Sequence, residues 1–265
     1  MQILETDSLC RRFGEHTAVE SVSLSLEAGE AFGLLGPNGA GKTTMIKMLT
    51  TLLPPTSGSA RVAGFDIVRR AREVRRVIGY VPQLVSADGS LSGYENLLIF
   101  AKLYDIPRSE RLLRIGEALS FVGLSDAARR LVREYSGGMI RRLEIAQSVL
   151  HRPRVLFLDE PTVGLDPVAR RAVWDHIERL RGDYGTTIFL TTHLMEEADS
   201  LCSRIAIMHR GRVAAIGRPD ELKASIGGNG TTLDDVFVHY AGDRLDAGGG
   251  YRETSRTRRT ARRLG

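Results

Sequence analysis

The chain has 265 residues, enough for one large core with a small appended subdomain. At 42% hydrophobic and 26% charged it has the composition of a folding domain, and no apolar run approaches the ~18 residues of a membrane-spanning helix. The net charge of +5 resides in the last fifteen residues, YRETSRTRRTARRLG; the rest is balanced, which argues against a basic surface that coats nucleic acid.

The opening stretch MQILETDSLCRRF carries acids near its start and lacks an apolar segment, so no secretory signal is expected. Cys10 and Cys202 lie far apart without metal-type spacing and are expected to be buried small hydrophobes. In TAVESVSLSLEA (17–28), Val22, Leu24 and Leu26 alternate with polar residues, the pattern of a half-buried strand. AFGLLG (31–36) is a short buried run leading into GPNGAGKTT (36–44). A helix follows with Met45, Met48, Leu49 and Leu52 on one face, ended by LPPTSG (53–58). VIGYVPQ (77–83) reads as a strand stopped by Pro82.

From about 88 to 150 the pattern is helical. LSGYENLLIFAKLY and SERLLRIGEALSFVGL are two helices with Gly123 as a stop. YSGGMIRRLEIAQ (135–147) opens a third, with Ser136 as N-cap and Ile140, Leu143, Ala146 and Leu150 on one face. VLFLDEP (155–161) fits a central parallel strand buried on both faces. VARRAVWDHIERLRG is a helix, TTIFLTTH a strand, LMEEADSLC a helix, and RIAIMHRGRVAAIG a hairpin turning at Arg210-Gly211. One more helix is expected at 219–226 and a short element at 233–242. GGG (248–250) then begins a flexible tail. Alternating strands and helices predict an α/β core with a mainly parallel sheet, into which the segment 88–150 is inserted.

Gly36 to Thr43 match the pattern G-x-x-x-x-G-K-[ST]. Gly39 and Gly41 leave room for a phosphate chain, residues 39–44 offer backbone N–H donors, Lys42 supplies a cation and Thr43 a hydroxyl for Mg²⁺. Asp159 and Glu160 end a buried strand, where α/β sheets place ligands. Asp159 suits an Mg²⁺-linked carboxylate, and Glu160 a base for an attacking water. Gln83 and His193 stand at two further strand ends. The glycines after Ser136 make a second helix start able to seat an anion.

With these motifs in this order, the chain resembles the nucleotide-binding domain of ABC transporters over roughly residues 2–240. YSGGM and the ending TTLDDVFV are most similar to the drug-exporter branch typified by the daunorubicin-resistance ATPases. The resemblance implies a P-loop NTPase (RecA-like) core, an N-terminal antiparallel β subdomain and an inserted helical subdomain. Residues 241–265 are left as a Gly-rich linker and a basic tail, expected to be disordered.

It also implies an ATP site with Mg²⁺. Phe13 stacks on adenine, and Asn38, Ala40 and Thr44 join the loop residues Gly36, Gly39, Gly41, Lys42 and Thr43. Thr43, Gln83 and Asp159 serve the metal, and Glu160, His193 and Gln83 the hydrolysis. Ser136, Gly137 and Gly138 (signature loop) serve the nucleotide of a second subunit, and Asp166, in the D-loop VGLD, is a further nucleotide-binding residue. Met139 replaces the usual glutamine of that loop. The implied assembly is a homodimer sandwiching ATP, docked on a separate polytopic permease at the inner face of the cell membrane. Leu97, Leu98 and Phe100 are docking candidates, and the basic tail is a contact for anionic lipid. An importer subunit and a soluble ABC-type ATPase acting on nucleic acid are the alternatives.

Overall fold

The computed structural model describes residues 1–227 and 230–242. Of the expected linker and tail, 241–265, the first two residues instead end the last helix, with Ala241 buried, and 243–265 lie outside the described residues. The chain begins with two twelve-residue strands, β1 (Gln2–Phe13) and β2 (His16–Glu27), then β3 (Ala31–Leu35) and α1 (Lys42–Leu49). Next come β4 (Ser57–Val62), β5 (Phe65–Asp66), α2 (Ala71–Val77) and β6 (Ile78–Val81). Three helices follow: α3 (Gly93–Leu103), α4 (Arg108–Phe121) and α5 (Gly137–Val149). The chain then runs through β7 (Val155–Asp159), α6 (Pro167–Tyr184), β8 (Thr187–Thr192) and α7 (Met195–Leu201). It ends in β9 (Arg204–His209), β10 (Arg212–Gly217), α8 (Pro219–Ile226) and α9 (Leu233–Gly242).

Two sheets organise the molecule. A four-stranded antiparallel sheet has the order β2-β1-β4-β5, and a six-stranded sheet the order β10-β9-β3-β8-β7-β6, parallel except for β10. β3, β7 and β8 are buried throughout, as strands in a sheet covered on both faces are; in β8 three apolar residues, Ile188–Leu190, are flanked by buried threonines. Phe32, Phe189 and Phe157 step across three adjacent strands with ring centroids 5.5 Å apart, and this row joins the core beneath the antiparallel sheet. The opposite face carries Trp174, Ile177 and Leu180 of α6. A third cluster, with Leu97, Ile115, Leu119 and Leu143, holds α3, α4 and α5 together.

The sequence reading located the parallel strands and most helices but passed over β1, β4, β5 and α2 as elements. In β1 the alternation that betrays a strand is broken. Ile3 and Leu4 are both buried, the register shifts between Thr6 and Leu9, and Ser8 has φ +47°. Three expectations need correction. Leu52 does not continue the buried face of α1: the helix stops at Leu49, the Thr50 hydroxyl bonds the Ile46 carbonyl, and Thr51 turns left-handed (φ +64°), leaving Leu52 59% exposed. Leu97 is fully buried in the helical cluster, and Cys10 is only half-buried.

His151, just past α5, stacks on Tyr104 at 3.7 Å and meets the Ile78 carbonyl through Nε2 at 2.8 Å. Burial, against the opposing pull of that carbonyl and with help from the Arg114 charge, lowers its pKa to about 4. The folded state therefore holds this imidazole neutral where the unfolded chain protonates it. Its contribution to stability is full above about pH 6.5 and is lost as the pH falls towards 4. His151→Phe, which keeps the stack, should flatten the decline in urea midpoint between pH 6.5 and 4. An unchanged decline would assign that limb to other groups.

Candidate functional site

The loop between β3 and α1 is shaped by what surrounds it. A Cβ on Gly36 would sit 2.4 Å from the Met208 carbonyl oxygen, and one on Gly41 would sit 2.2 Å from that of Ala18; Gly41 also has φ +106°. Gly41 is the N-cap of α1 and brings no side-chain cap, and no acid stands in the first turn. The leading N–H groups and the positive end of the helix thus face an anion without competition from the helix's own side chains. Asn38 and Gly39 are exposed, Ala40 is buried, and Thr43 and Thr44 are half-buried.

Lys42 is 4% exposed and its ammonium is fully engaged. It donates to the carbonyls of Gly36 (2.8 Å) and Pro37 (3.2 Å) and pairs with Glu160 Oε1 at 3.2 Å. Glu160 Oε2 in turn accepts from Gln83 Nε2 at 3.1 Å and lies 3.3 Å from His193 Nδ1. Three side chains from three separate strand ends or loops therefore meet on the one carboxylate of Glu160. Glu160 itself has φ +50°, a left-handed conformation unusual for a side chain of its size and typical of strain kept at working sites. Its N–H is held by the Thr191 carbonyl (3.0 Å) and hydroxyl (3.1 Å).

Thr191 also donates to Asp159 Oδ1 at 2.6 Å, and Thr43 donates to the same oxygen at 3.2 Å. Asp159 is 1% exposed, and its other oxygen, Oδ2, is buried without a hydrogen-bond partner. An orphaned buried carboxylate oxygen beside the Thr43 hydroxyl is a donor set suited to a hard divalent cation. Burial and the Asp159 charge push the Tyr80 phenol up to about 12, so it stays neutral there.

The remaining expected residues stand outside this cluster. Phe13 ends β1 with its ring 46% exposed and the Arg11 guanidinium 4.6 Å from its centroid. Ser136 caps α5, its hydroxyl accepting from the Met139 N–H at 3.3 Å. Gly138 lies so close to α6 that a Cβ would sit 2.7 Å from the Ala169 Cβ. Asp166 caps α6, accepting from Val168 and Ala169 N–H at 3.0 and 2.9 Å, a role the sequence reading did not assign. Among the described residues, no hydrogen bond or ion pair joins Ser136, Gly137, Gly138 or Asp166 to the Lys42–Glu160–His193 cluster.

The sequence reading also missed Thr191, although it stands two residues before His193, and the buried Glu197. Glu197 accepts from the Thr162 hydroxyl (2.7 Å) and from Trp174 Nε1 (3.0 Å) and so ties α7 to the turn after Glu160.

A profile of the family described as ABC transporter matches residues 19–163. The chain is 46% identical over 244 residues to the daunorubicin/doxorubicin resistance ATP-binding protein DrrA of Streptomyces peucetius, covering 92% of this chain and 73% of that protein. It is 39% identical to the linearmycin resistance ATP-binding protein LnrL of Bacillus subtilis, covering 86% and 73%. A solved structure of an ATP-binding subunit of an ABC transporter superposes with a TM-score of 0.80 at 28% identity, covering 90% of this chain and 99% of that one. With this match, a P-loop feeding a mostly parallel sheet, and an antiparallel sheet beside it, the chain belongs to the ABC transporter family of ATP-binding domains.

Proposed function

We propose that this chain binds and hydrolyses ATP to power a separate membrane permease that exports drugs, lipids or other hydrophobic compounds. The observation that carries the mechanism is the carboxylate of Glu160 held between Lys42, Gln83 and His193, beside an Asp159 whose second oxygen has no partner. In this reading the N–H groups leading α1 and Lys42 bind the phosphates, and Thr43, Asp159 and Gln83 hold Mg²⁺, which would neutralise phosphate charge. Glu160 takes the proton of the attacking water, and His193 orients both. Phe13 offers a ring face to adenine.

Ser136, Gly137 and Gly138 form a second anion seat with no bond to the first site, and this supports a shared arrangement. Two chains lie head to tail, and each signature loop holds the γ-phosphate on its partner's P-loop. Mixing variants tests it. Ser136→Arg should bind ATP as a monomer but lose hydrolysis, and Lys42→Ala should be inactive. Their mixed dimer keeps one site free of both lesions, so activity should return on mixing. Inactivity of the mixture would exclude composite sites.

Among the described residues no helix is long and apolar enough to cross a membrane, which suits a peripheral subunit on the cytoplasmic face. Leu84 and Val85, 81% and 62% exposed directly after Gln83, replace Leu97 as apolar candidates for permease docking. The names of the drug-resistance relatives favour export over import. Weak, salt-sensitive attachment of residues 251–265 to anionic lipid is part of the same reading.

A further inference from the structure

The segment Pro82–Ser86 joins the catalytic cluster to the surface. Gln83 reaches Glu160, and Leu84 and Val85 face outward. Both ends of this segment are held by two side chains one turn apart on α5. Arg141 donates through Nη1 to the Pro82 carbonyl at 2.7 Å and through Nη2 to the Gln83 carbonyl at 3.0 Å. Glu144 Oε1 accepts from the Ser86 N–H at 2.5 Å and hydroxyl at 2.9 Å. The two side chains pair with each other at 3.1 Å, and they are 6% and 3% exposed. A planar guanidinium that spans two consecutive carbonyls fixes direction as well as distance, which an ammonium does not.

α5 is the helix whose first turn is Ser136–Gly138. We propose that Arg141 and Glu144 are positioning residues that staple the Gln83 loop to this helix, so that the helix start and Gln83 move as one piece. A γ-phosphate gripped at Ser136–Gly138 then sets the Gln83 contact with Glu160 in the same chain, and so links one composite site to the other. The link between sites rests on the shared-site reading above; the staple itself does not.

The staple is buried yet outside the reacting atoms, so its loss should change coordination more than binding. Arg141→Lys keeps the charge opposite Glu144 and removes the fork. Its melting temperature and ATP affinity should stay near those of the parent, while the amides of 82–87 exchange faster with deuterium. kcat should fall by about tenfold, as misplacement of a catalytic contact allows, and any positive cooperativity in ATP should weaken. In a Gln83→Ala background the same substitution should add little, because Arg141 acts through that side chain. Ser86→Ala, at an exposed position with little risk to folding, should reproduce the exchange effect and lower kcat about threefold.

Unchanged exchange at 82–87 in both variants would overturn the staple. Faster exchange with unaltered kcat, or a full additive loss on Gln83→Ala, would overturn its role in positioning Gln83. A parent chain with no ATPase activity would instead sink the proposed function, and the exchange measurement would still decide the staple.

Discussion

Glu160→Gln should slow ATP hydrolysis by about 10²–10⁴-fold, the range for losing a positioned general base, while ATP binding persists. The structure gives a reason to expect binding to hold or tighten. Lys42 is paired with Glu160 at 3.2 Å in a setting where both side chains are about 95% buried, so an incoming phosphate competes with this carboxylate for the ammonium. A neutral amide of the same shape is a weaker competitor. It keeps a carbonyl to accept from Gln83, so the cluster should hold. Spent of its base but not of its cradle, the variant should accumulate as an ATP-bound dimer, visible by size-exclusion chromatography with ATP and absent without it. Parent-level turnover in the purified variant would remove Glu160 from the mechanism.

Lys42→Ala should weaken ATP binding by at least about 10²-fold, since cutting one partner from a buried charged contact costs several kcal/mol. Two effects combine. The phosphates lose their cation, and Glu160 loses its ion-pair partner while remaining buried, so a negative charge is left where the γ-phosphate must approach. Adding Glu160→Gln to Lys42→Ala removes that second effect and should recover part of the affinity, which separates attraction by Lys42 from repulsion by Glu160. Equilibrium binding of a fluorescent ATP analogue measures both, with circular dichroism to verify folding. Parent-like affinity in Lys42→Ala would move the nucleotide elsewhere.

What was legible in the sequence followed from local chemistry. A glycine loop before a lysine at a helix start, acids at the end of an unbroken apolar run, and a histidine ending TTIFLTTH each carry their reason in a few adjacent residues. So Lys42, Thr43, Asp159, Glu160 and His193 could be named without coordinates, and β3 and β7 with them, since burial on both faces leaves a nearly continuous apolar string. Serine before two glycines likewise marked the start of α5.

Other features depend on residues far apart along the chain. β1 was hidden because its bulges break the two-residue period, and it is defined by pairing with β2 and β4. The early stop of α1 needs a left-handed Thr51, which a threonine does not advertise. Thr191 becomes a fulcrum only because β7 and β8 are neighbours, bringing Asp159 level with it. Nothing in the neighbouring residues singles out Arg141 and Glu144, three positions apart on α5. Only packing of α5 against the end of β6 buries that pair and offers it the carbonyls and amide of 82–86. Which chemistry this protein carries follows from its primary structure, because phosphate binding and carboxylate placement are written in contiguous residues. Which side chains transmit that chemistry was decided by tertiary structure, because a buried charge takes its meaning from the partners that packing brings to it.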